Sequence, residues 1–306
     1  MLRVIVLGAA AGGGVPQWNC GCQNCSAARG PSPSMRSTQA SLAISVDDAH
    51  WFLVNASPDI RQQIIATLQL HPKLGALRHS PIAGVILTNG EVDAVAGLLS
   101  LREGSPFTIY AHERVLSILQ SNSIFNVLGD KVQRVPIAID KAFVPMLPDG
   151  SPSGLKVTAF LVPGKGAWYL EGTTEGADAD GDTLGLRITD STSGQFIYVL
   201  TACARVTPDL KARLTDAPLV FFDGTVWHDD ELITQGLGQK TGQRMGHIAM
   251  SGDDGAIASL NGIGIGQTVF LHINNSNPAL RADSCERREA ERAGWQIASD
   301  GMEFSL

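Results

Sequence analysis

The sequence predicts an α/β protein in which two β-sheets pack face to face and helices cover their outer sides. Short apolar segments rich in β-branched residues alternate with helical segments along the 306 residues, and strand-dense stretches lie on both sides of the middle. Hydrophobic residues make up 44% of the chain and charged residues 17%, so there is ample material for a buried core. This pattern favours one four-layer αββα domain over residues 1–306, with a doubly wound sheet as the alternative.

The individual elements follow from hydrophobic periodicity and from breaker residues. Strands are predicted at 2–7, 40–46, 51–55, 84–88, 107–110, 155–162, 184–189, 195–200, 218–222 and 268–273. Helices are predicted at 57–68, 93–101, 112–120, 207–214, 252–260 and 284–293. Ser57 or Asp59 is expected to cap the first of these helices, because proline at 58 fits a first turn. Irregular structure is predicted for Ser26–Ser37 and for the acidic, glycine-rich stretch Gly172–Asp182.

Charge and composition argue against several classes of partner. The net charge of -7 and the pI of about 5.5 argue against a protein that binds a nucleic-acid backbone. No segment approaches the roughly 20 apolar residues of a membrane span. The apolar N-terminus, Met1–Gly8, lacks the long apolar core and cleavage site of a signal peptide and reads as a first strand. We therefore expect a soluble, cytoplasmic protein.

The sharpest motif is a cluster of three cysteines, Cys20-Gly-Cys22-Gln-Asn-Cys25. Three thiolates within six residues can converge on one ion, and Zn²⁺ holds deprotonated sulfur strongly. The alternative is a set of reduced or redox-active loop cysteines. The other two cysteines, Cys203 and Cys285, stand alone and are expected to be buried bystanders. A closed zinc site needs a fourth ligand, for which the candidates are His272, Asn275, His247 and Cys285.

Polar residues also cluster where predicted strands end, which is where α/β proteins place their ligands. They are Asn89, Glu91 and Asp93 after the strand at 84–88, Asp223 after that at 218–222, and His272 with three asparagines at the end of 268–273. His247 stands in a further short motif, Arg-Met-Gly-His-Ile. Taken singly, each has a plain structural explanation: an acid at a helix N-terminus or a hydrogen-bonded core histidine. Together they indicate a site.

These segments, in this order, resemble the metallo-β-lactamase fold and, within it, the pyrroloquinoline quinone (PQQ) biosynthesis protein B family. The resemblance runs over essentially the whole chain. It rests on AAGGGVPQWNCGCQNC, NASPDIRQQI, ILTNGEVDAVAGLLSLREG, VPGKGAWYLE, FDGTVWHDDEL, GLGQKTG, RMGHIAM and LHINNSNP. The first and last of these are the most specific, because a generic hydrolase of this fold is not expected to carry both.

The resemblance implies a structural zinc at Cys20, Cys22 and Cys25. In related phosphodiesterases the fourth ligand lies three residues beyond the last active-site histidine, which is Asn275 here. Asparagine is a poor zinc ligand, so Asn275, His272 or a water must complete the shell. If His272 binds the zinc, it is lost to any second site.

The resemblance also implies an altered active site. The fold's metal motif, His-x-His-x-Asp-His, falls on 89–94, where all three histidine positions are replaced and the last is Ala94; no aspartate stands near 202–203 to bridge two ions. The residues that remain are Glu91, Asp93 and His272, with support from Asn89, Asp223 or His247. One histidine and two carboxylates approximate the ligand set of non-haem Fe²⁺ enzymes that use O₂.

Three functions follow from this resemblance. The first is O₂-dependent hydroxylation of the tyrosine-derived ring of a Glu-Tyr-derived PQQ precursor, with Fe²⁺ at the site. The second is a non-catalytic carrier that moves PQQ or its precursor towards the periplasm. A metal-dependent phosphodiesterase comes last, because its clustered histidines are missing. Other PQQ biosynthesis proteins are candidate partners, and a homodimer is one candidate for the oligomeric state.

Five residues of the motif segments could line a pocket for an acidic aromatic molecule: Trp18, Arg61, Arg102, Lys165 and Trp168. Core packing and surface salt bridges explain the same residues equally well. The sequence therefore leaves this pocket as a hypothesis.

Overall fold

Two mixed β-sheets pack face to face in the computed structural model, which describes residues 1–30, 35–172 and 181–306. Among these residues each sheet has seven strands. The first contains, in spatial order, β14 (Glu303–Ser305), β1 (Arg3–Gly8), β2 (Ser41–Ser45), β3 (Trp51–Val54), β4 (Ile82–Ile86), β5 (Phe107–Ala111) and β6 (Val132–Pro136). The second contains β13 (Trp295–Ile297), β12 (Gln267–Leu271), β11 (Leu219–Asp223), β10 (Phe196–Val199), β9 (Leu184–Asp190), β8 (Leu155–Leu161) and β7 (Ala142–Phe143).

The two sheets share one plan of strand directions. In the first, β3, β4, β5 and β6 run parallel, whereas β14, β1, β2 and β3 pair antiparallel. In the second, β10 to β13 are parallel and β7 to β10 antiparallel. Strands β4, β11 and β12, which precede the predicted site residues, all belong to the parallel halves. Their carboxyl ends are the positions at which such sheets place ligands.

Alternation of side chains along the strands builds three apolar layers. Strand β1 sends Val4 and Val6 into the core between the sheets, and Ile5 and Leu7 to the core beneath the helices of the first sheet. Strands β11 and β12 show the same alternation between the central core and the core beneath the helices of the second sheet. Because both faces of these strands are buried, their sequences read as continuous apolar runs.

Helices cover the outer face of each sheet. Their bounds are α1 (Gln23–Arg29), α2 (Ile60–Ala66), α3 (Val92–Val95), α4 (Glu113–Ser121), α5 (Pro208–Leu214), α6 (Glu231–Thr234), α7 (Ala256–Ser259) and α8 (Cys285–Arg292). Helices α2 and α4 bury Ile60, Val115 and Leu119 against the first sheet. Helices α5 and α8 bury leucines and Ala290 against the second. The αββα sandwich predicted from the sequence is therefore confirmed, whereas the single domain over 1–306 remains a prediction.

Several predicted elements need correction. The helix expected at 252–260 is one turn, α7, and that expected at 93–101 is α3 continued by a 3₁₀ segment, Ala96–Leu101. Helix α1 occupies the first part of the stretch Ser26–Ser37 that the sequence predicted to be irregular. Most of the predicted loop Gly172–Asp182 lies outside the described residues.

The start of α2 was predicted only in part: the Ser57 hydroxyl accepts from Asp59 N–H at 3.3 Å, but Asp59 does not cap through its side chain. Asp59 is the cap residue, but its side chain makes no capping hydrogen bond. Its carboxylate instead accepts hydrogen bonds from the backbone N–H and the side-chain amide of Gln39, at 2.9 and 3.0 Å. The Gln39 side chain in turn accepts a hydrogen bond from Gly13 N–H at 3.0 Å, so Asp59 supports the N-terminal glycine loop. A long-range contact has replaced the local one.

A buried polar junction ties the sheets together near the ends of β4 and β10. Asn55 has a positive φ of 61°, which directs its side chain to Thr88. Its carbonyl accepts from Thr88 N–H and its amide donates to the Thr88 hydroxyl, both at 2.9 Å. The Thr88 hydroxyl also lies 3.1 Å from that of Thr201 in the second sheet.

Within the described residues, no helix is long and apolar enough to cross a bilayer.

Gly97 allows the segment after β4 to lie against the link between β3 and α2. Its N–H donates to Ala56 O at 2.9 Å, and a Cβ at this position would lie 2.0 Å from Ser57 O. We expect Gly97→Ala to lower the free energy of unfolding by roughly 1–3 kcal/mol, because backbone must move to admit the methyl group. Urea denaturation measures this. The control Ser100→Ala, at a half-buried position of the same 3₁₀ segment, should change stability by less than about 0.5 kcal/mol. Equal midpoints for Gly97→Ala and wild type would contradict this packing.

Candidate metal centres

The three clustered cysteines converge as the sequence predicted. Cys22 precedes α1, and its sulfur accepts a hydrogen bond from Cys25 N–H at 3.5 Å, which folds the loop into the first helical turn. The sulfur atoms of Cys20, Cys22 and Cys25 all lie within 4.8 Å of one another. Helix α1 is fixed by Asn24, whose buried side-chain amide donates to the carbonyls of Asn275 and Asn277 at 3.0 and 2.8 Å.

The side-chain amide of Asn275 lies at the fourth corner of this cluster. Its terminal nitrogen is 3.1, 3.5 and 3.3 Å from the sulfurs of Cys20, Cys22 and Cys25. The oxygen and nitrogen of an asparagine amide are nearly isosteric, so a half-turn would present the oxygen to a cation held by the thiolates.

The donor chemistry of this cluster fits zinc. Burial raises the pKa of Cys25 to about 11, so without a cation this thiol stays protonated at neutral pH. Burial also opposes ionisation of Cys22, but hydrogen bonds from Cys25 N–H and from neighbouring side chains outweigh it and lower that pKa. One thiol of the cluster is thus readily ionised, and a bound Zn²⁺ would stabilise the other thiolates.

The other candidates for the fourth ligand lie elsewhere. Cys285 is exposed on α8, where its sulfur accepts from Arg288, so the expectation that it is buried was wrong. Cys203 is buried as expected. The rings of His247 and His272 stack on each other in a second cluster, with their centroids 5.2 Å apart. His272 is therefore not drawn into the cysteine cluster.

The second cluster is built around His272. This residue follows β12 and has a positive φ of 60°, a conformation that is rare for residues other than glycine and that concentrates at functional sites. Its Nε2 lies 2.8 Å from the Asp93 carboxylate, although the two residues are 179 positions apart. Asp93 lies in the short helix α3, just beyond the carboxyl end of β4.

Thr225 orients the His272 ring through Nδ1, the ring nitrogen that does not face Asp93. The Thr225 hydroxyl lies 2.7 Å from Asp223 Oδ1 and 2.9 Å from His272 Nδ1. His247 Nδ1 lies 2.8 Å from the other oxygen of Asp223. One proton arrangement satisfies these contacts: Thr225 and His247 donate to Asp223, and His272 Nδ1–H donates to Thr225. The neutral ring of His272 then keeps a free lone pair on Nε2, directed at Asp93.

The His272 Nε2 lone pair and the Asp93 carboxylate oxygen are both acceptors, and at 2.8 Å apart they require a cation between them. A proton can serve as this cation: burial opposes charging of the ring, but the hydrogen bond and charge of Asp93 outweigh it and raise the pKa of His272. The same pairing outweighs burial at Asp93 and lowers its pKa. A metal ion can take the place of the proton, because ligands about 2.0 Å from one ion and roughly at right angles lie about 2.8 Å apart.

Glu91 lies beside this pair but faces away from it. Its carboxylate accepts from Trp168 N–H at 2.9 Å and lies 3.9 Å from the Lys165 ammonium group. Burial and the charge of Asp93 raise the pKa of Glu91, although Trp168 N–H and Lys165 oppose this. Asn89 accepts from Glu91 N–H at 3.0 Å and so shapes the turn. That Glu91, Asp93 and His272 bind one ion remains a prediction.

A second set of three donor atoms also converges beside His272. Ligand atoms of Asp223, His247 and His272 all fall within 4.8 Å of one another. Asp223 is fully buried, and its Oδ2 also accepts from Cys203 N–H at 2.8 Å. The sequence named Asp223 and His247 only as support. Two ligand sets that share His272 are therefore available.

Members of both sets line one cavity of about 740 Å³, although Asp223 itself lies behind its wall. Residues that line it include Gly12, Gln17, Trp18, Glu91, Asp93, Lys165, Trp168, Lys240, His247 and His272. Of the five residues suggested for an acidic aromatic ligand, Trp18, Lys165 and Trp168 line this cavity, whereas Arg61 and Arg102 do not. Sequence reasoning missed Lys240 and Thr225. The signal for Thr225 was its position two residues after Asp223, at the same strand end.

A buried carboxylate connects the turn after His272 to helix α6. Glu231 accepts hydrogen bonds from Trp227 N–H at 2.6 Å and from the Ser276 hydroxyl at 2.5 Å. Burial raises its pKa to about 7, even though these hydrogen bonds favour the charged form. Sequence analysis did not single out Glu231, because its partners lie on a distant turn.

Comparison with known proteins shows which family this chain resembles. Residues 50–273 match the family model of the beta-lactamase superfamily domain. Coenzyme PQQ synthesis protein B of Rhodopseudomonas palustris strain TIE-1 is 72% identical over 309 aligned residues, which cover 100% of both chains. Its namesake in Gluconacetobacter diazotrophicus is 53% identical, again over 100% of both chains. These similarities confirm the family resemblance inferred from the motifs.

Solved structures agree. The crystal structure of Zn²⁺-bound PqqB from Methylobacterium extorquens superposes with a TM-score of 0.93 at 50% identity, over 99% of this chain and 100% of that one. A diphosphatase of the PhnP family superposes with a TM-score of 0.68 at 19% identity, over 100% and 98% of the two chains. The second likeness concerns the fold alone.

We expect the cysteine cluster to bind one zinc ion. Replacing Cys20, Cys22 and Cys25 by serine should abolish this zinc, and Asn275→Ala should weaken its binding by roughly 10- to 100-fold because one ligand is lost. Asn275→His should retain the zinc, since imidazole is a good ligand. Metal analysis and competition with a chromophoric chelator measure both effects, with Cys285→Ser as the control. Unchanged affinity in Asn275→Ala would remove the amide from the ligand set.

Glu231 should make stability depend on pH. The folded-state pKa of about 7 lies above the ordinary value of 4.5, so the folded protein holds this proton more tightly than the unfolded chain. Stability contributed by this group is therefore lost as pH rises from about 4.5 to 7, by on the order of 3 kcal/mol. In Glu231→Gln, the free energy of unfolding should not show this decrease with rising pH. Urea midpoints at pH 5 and 8 test this, and parallel decreases in the two proteins would contradict it.

Proposed function

The chain belongs to the coenzyme PQQ synthesis protein B family of the beta-lactamase superfamily, and we propose that it hydroxylates a tyrosine-derived aromatic ring during synthesis of that cofactor. The substrate is a small molecule derived from a Glu-Tyr unit of the precursor. The reaction takes place in the cavity beside His272 and depends on a metal ion, with Fe²⁺ as the proposed metal.

The observation that carries this proposal is the Asp93–His272 pair in the wall of the cavity. It presents a histidine lone pair and a carboxylate oxygen at 2.8 Å, with further donors from Glu91, Asp223 and His247 close by. An Fe²⁺ ion bound there would supply the activation of O₂, with an external reductant supplying the two electrons that ring hydroxylation consumes. Thr225 holds the His272 ring in the tautomer that leaves Nε2 available.

Other residues of the cavity suit an aromatic substrate. Trp18 and Trp168 line it with exposed rings, against which an aromatic ring can stack. Lys165 and Lys240 supply positive charge for acidic groups of the substrate. With Asp93 and His272 holding the metal, Glu91 is the carboxylate placed to accept a proton from a ring that has gained oxygen, and burial raises its pKa above the ordinary value.

The donor set favours a redox metal over a hydrolytic pair of zinc ions. Ala94 is buried and provides only a methyl group where the fold's motif has a histidine. Two imidazoles and one carboxylate, as in the set of His247, His272 and Asp223, are typical ligands of Fe²⁺ in enzymes that use O₂, and Glu91, Asp93 and His272 approximate that set. A phosphodiesterase would need several more imidazoles to hold two ions.

A carrier is the second candidate function. The observation that favours it is the same cavity, which offers aromatic and cationic groups beside a motif that has lost its histidines. A carrier binds the quinone or its precursor without turnover and without need of a redox metal. The metal measurements below separate the two functions.

We expect a second metal, distinct from the cysteine-bound zinc, to depend on His272 and Asp93. Anaerobic loading with Fe²⁺ should give one iron per chain in wild type, and His272→Ala or Asp93→Asn should abolish it while zinc remains. Loss of iron in Glu91→Gln would identify the set of Glu91, Asp93 and His272. Loss of iron in Asp223→Asn would identify the set of Asp223, His247 and His272. Hydroxylation of the precursor should fall with iron occupancy.

His50→Ala is the matched control, because His50 forms an exposed ion pair with Asp47 at 2.7 Å, outside the cavity. It should leave iron binding unchanged. If wild type loads no second metal, the hydroxylase proposal fails. Tight binding of the quinone by that same protein would then establish the carrier.

A further inference from the structure

Two lysines at the cavity share one glutamate. The Glu171 carboxylate accepts from Lys165 Nζ at 3.0 Å through one oxygen and from Lys240 Nζ at 2.6 Å through the other. Both lysines line the cavity, although they are 75 positions apart in the sequence. They hold the pKa of Glu171 at about 2, so this carboxylate is charged at any physiological pH.

Glu171 is the most accessible member of this trio. Its side chain is 43% exposed, against 19% for Lys165 and 33% for Lys240. Ion pairs this exposed contribute little net free energy, because water solvates the separated charges well. A competing carboxylate can therefore replace Glu171 at small cost.

The segment that carries Glu171 lies over the cavity and is attached through polar contacts. Trp168 N–H donates to Glu91 at 2.9 Å, and the Tyr169 hydroxyl donates to Gly90 O at 2.7 Å. The Trp168 side chain remains 64% exposed, and Trp18 in the same cavity is 86% exposed. Two solvated indole rings thus line the same cavity as the paired lysines, which is an arrangement suited to a flat anion.

We propose that Glu171 occupies a carboxylate-binding subsite formed by Lys165 and Lys240, and that a carboxylate of an aromatic ligand displaces it on binding. The subsite takes an aromatic acid, with its carboxylate between the lysines and its ring beside the tryptophans. The inference rests on the proposed function for the identity of the ring that reacts. Binding at the subsite itself requires neither the second metal nor turnover.

The charges in the cavity also fix the direction of the ligand. Asp93 and Asp223 lie against the stacked rings of His272 and His247 and repel a carboxylate from there. Lys165 and Lys240 attract it to their own part of the cavity wall. The ligand therefore binds with its acid at the lysines and its ring towards His272. Lys240 is the stronger anchor of the two, because Lys165 is also 3.9 Å from Glu91.

Calorimetric titration with PQQ, an aromatic polycarboxylate, and with its neutral trimethyl ester tests the proposal. PQQ should bind wild type and the ester should bind at least about 10-fold more weakly, because charged hydrogen bonds are lost. Glu171→Gln should tighten PQQ binding about 2- to 5-fold, as expected for removal of an exposed competing ion pair. Lys240→Met should weaken PQQ binding about 10-fold.

A double-variant cycle makes the test specific. In a protein that already carries Lys240→Met, Glu171→Gln should increase the affinity for PQQ by less than it does in wild type, because the two residues act on the same subsite. Lys73→Met removes an exposed lysine outside the cavity and should leave the affinity for PQQ unchanged. All three changed residues are at exposed or half-buried positions, so the variants are expected to fold.

Each outcome bears on one proposal. Equal binding of PQQ and its ester, no PQQ binding at all, or weaker PQQ binding in Glu171→Gln would each overturn the displacement. If PQQ binding follows the lysines and Glu171 while no second metal loads, the subsite stands and the hydroxylase fails. If iron loads and the ring is hydroxylated while the Glu171 and Lys240 variants bind PQQ like wild type, the hydroxylase stands and the subsite fails.

Discussion

Two backbone hydrogen bonds between the N-terminal segment and the turn after β12 are the contact on which both candidate metal centres depend. Ala11 N–H donates to Ile273 O at 2.8 Å, and Ile273 N–H donates to Ala9 O at 2.9 Å. They join the end of β1 in the first sheet to the end of β12 in the second. His272 and Asn274 flank the joined residue, so this pairing sets where the histidine ring points. It also brings the cysteine loop, which follows β1, against Asn275.

The turn after β12 therefore acts as a shared support. Asn275 reaches the three sulfurs, and Asn277 donates to Gly224 O at 3.0 Å, beside the Asp223–Thr225 segment that orients His272. A zinc ion that draws the thiolates together would also immobilise this turn. The positive φ of His272 is kept because contacts on both sides of it leave the backbone no alternative. The structural site thus stabilises the geometry of the functional one.

How far the sequence predicted the structure depended on the range of the contacts. Strand β11 is an apolar run up to Asp223, and β12 is apolar from Val269 onwards, as expected for strands buried on both faces, so both were found within a few residues. The cysteine cluster was predictable because its spacing is local. The pairing of Asp93 with His272 spans 179 positions and the role of Thr225 depends on it, so neither could be read from spacing. Asn275 was singled out by family resemblance, whereas spacing left four candidates.

The cavity derives its polarity from this same layout. Asp93 in α3, just after β4, and Asp223 at the end of β11 meet beside the two histidines because parallel strands bring their carboxyl ends together. Acids this close to a histidine favour a cation among them, and the charge of Asp93 raises the pKa of His272 for the same reason. Lys165 and Lys240 in the cavity wall balance the charge without entering the cluster. An acidic aromatic ligand in a cavity without separate charged groups would bind in several orientations. Here the acids beside the histidines and the pair of lysines favour one orientation, with the carboxylate at the lysines and the ring towards the histidine.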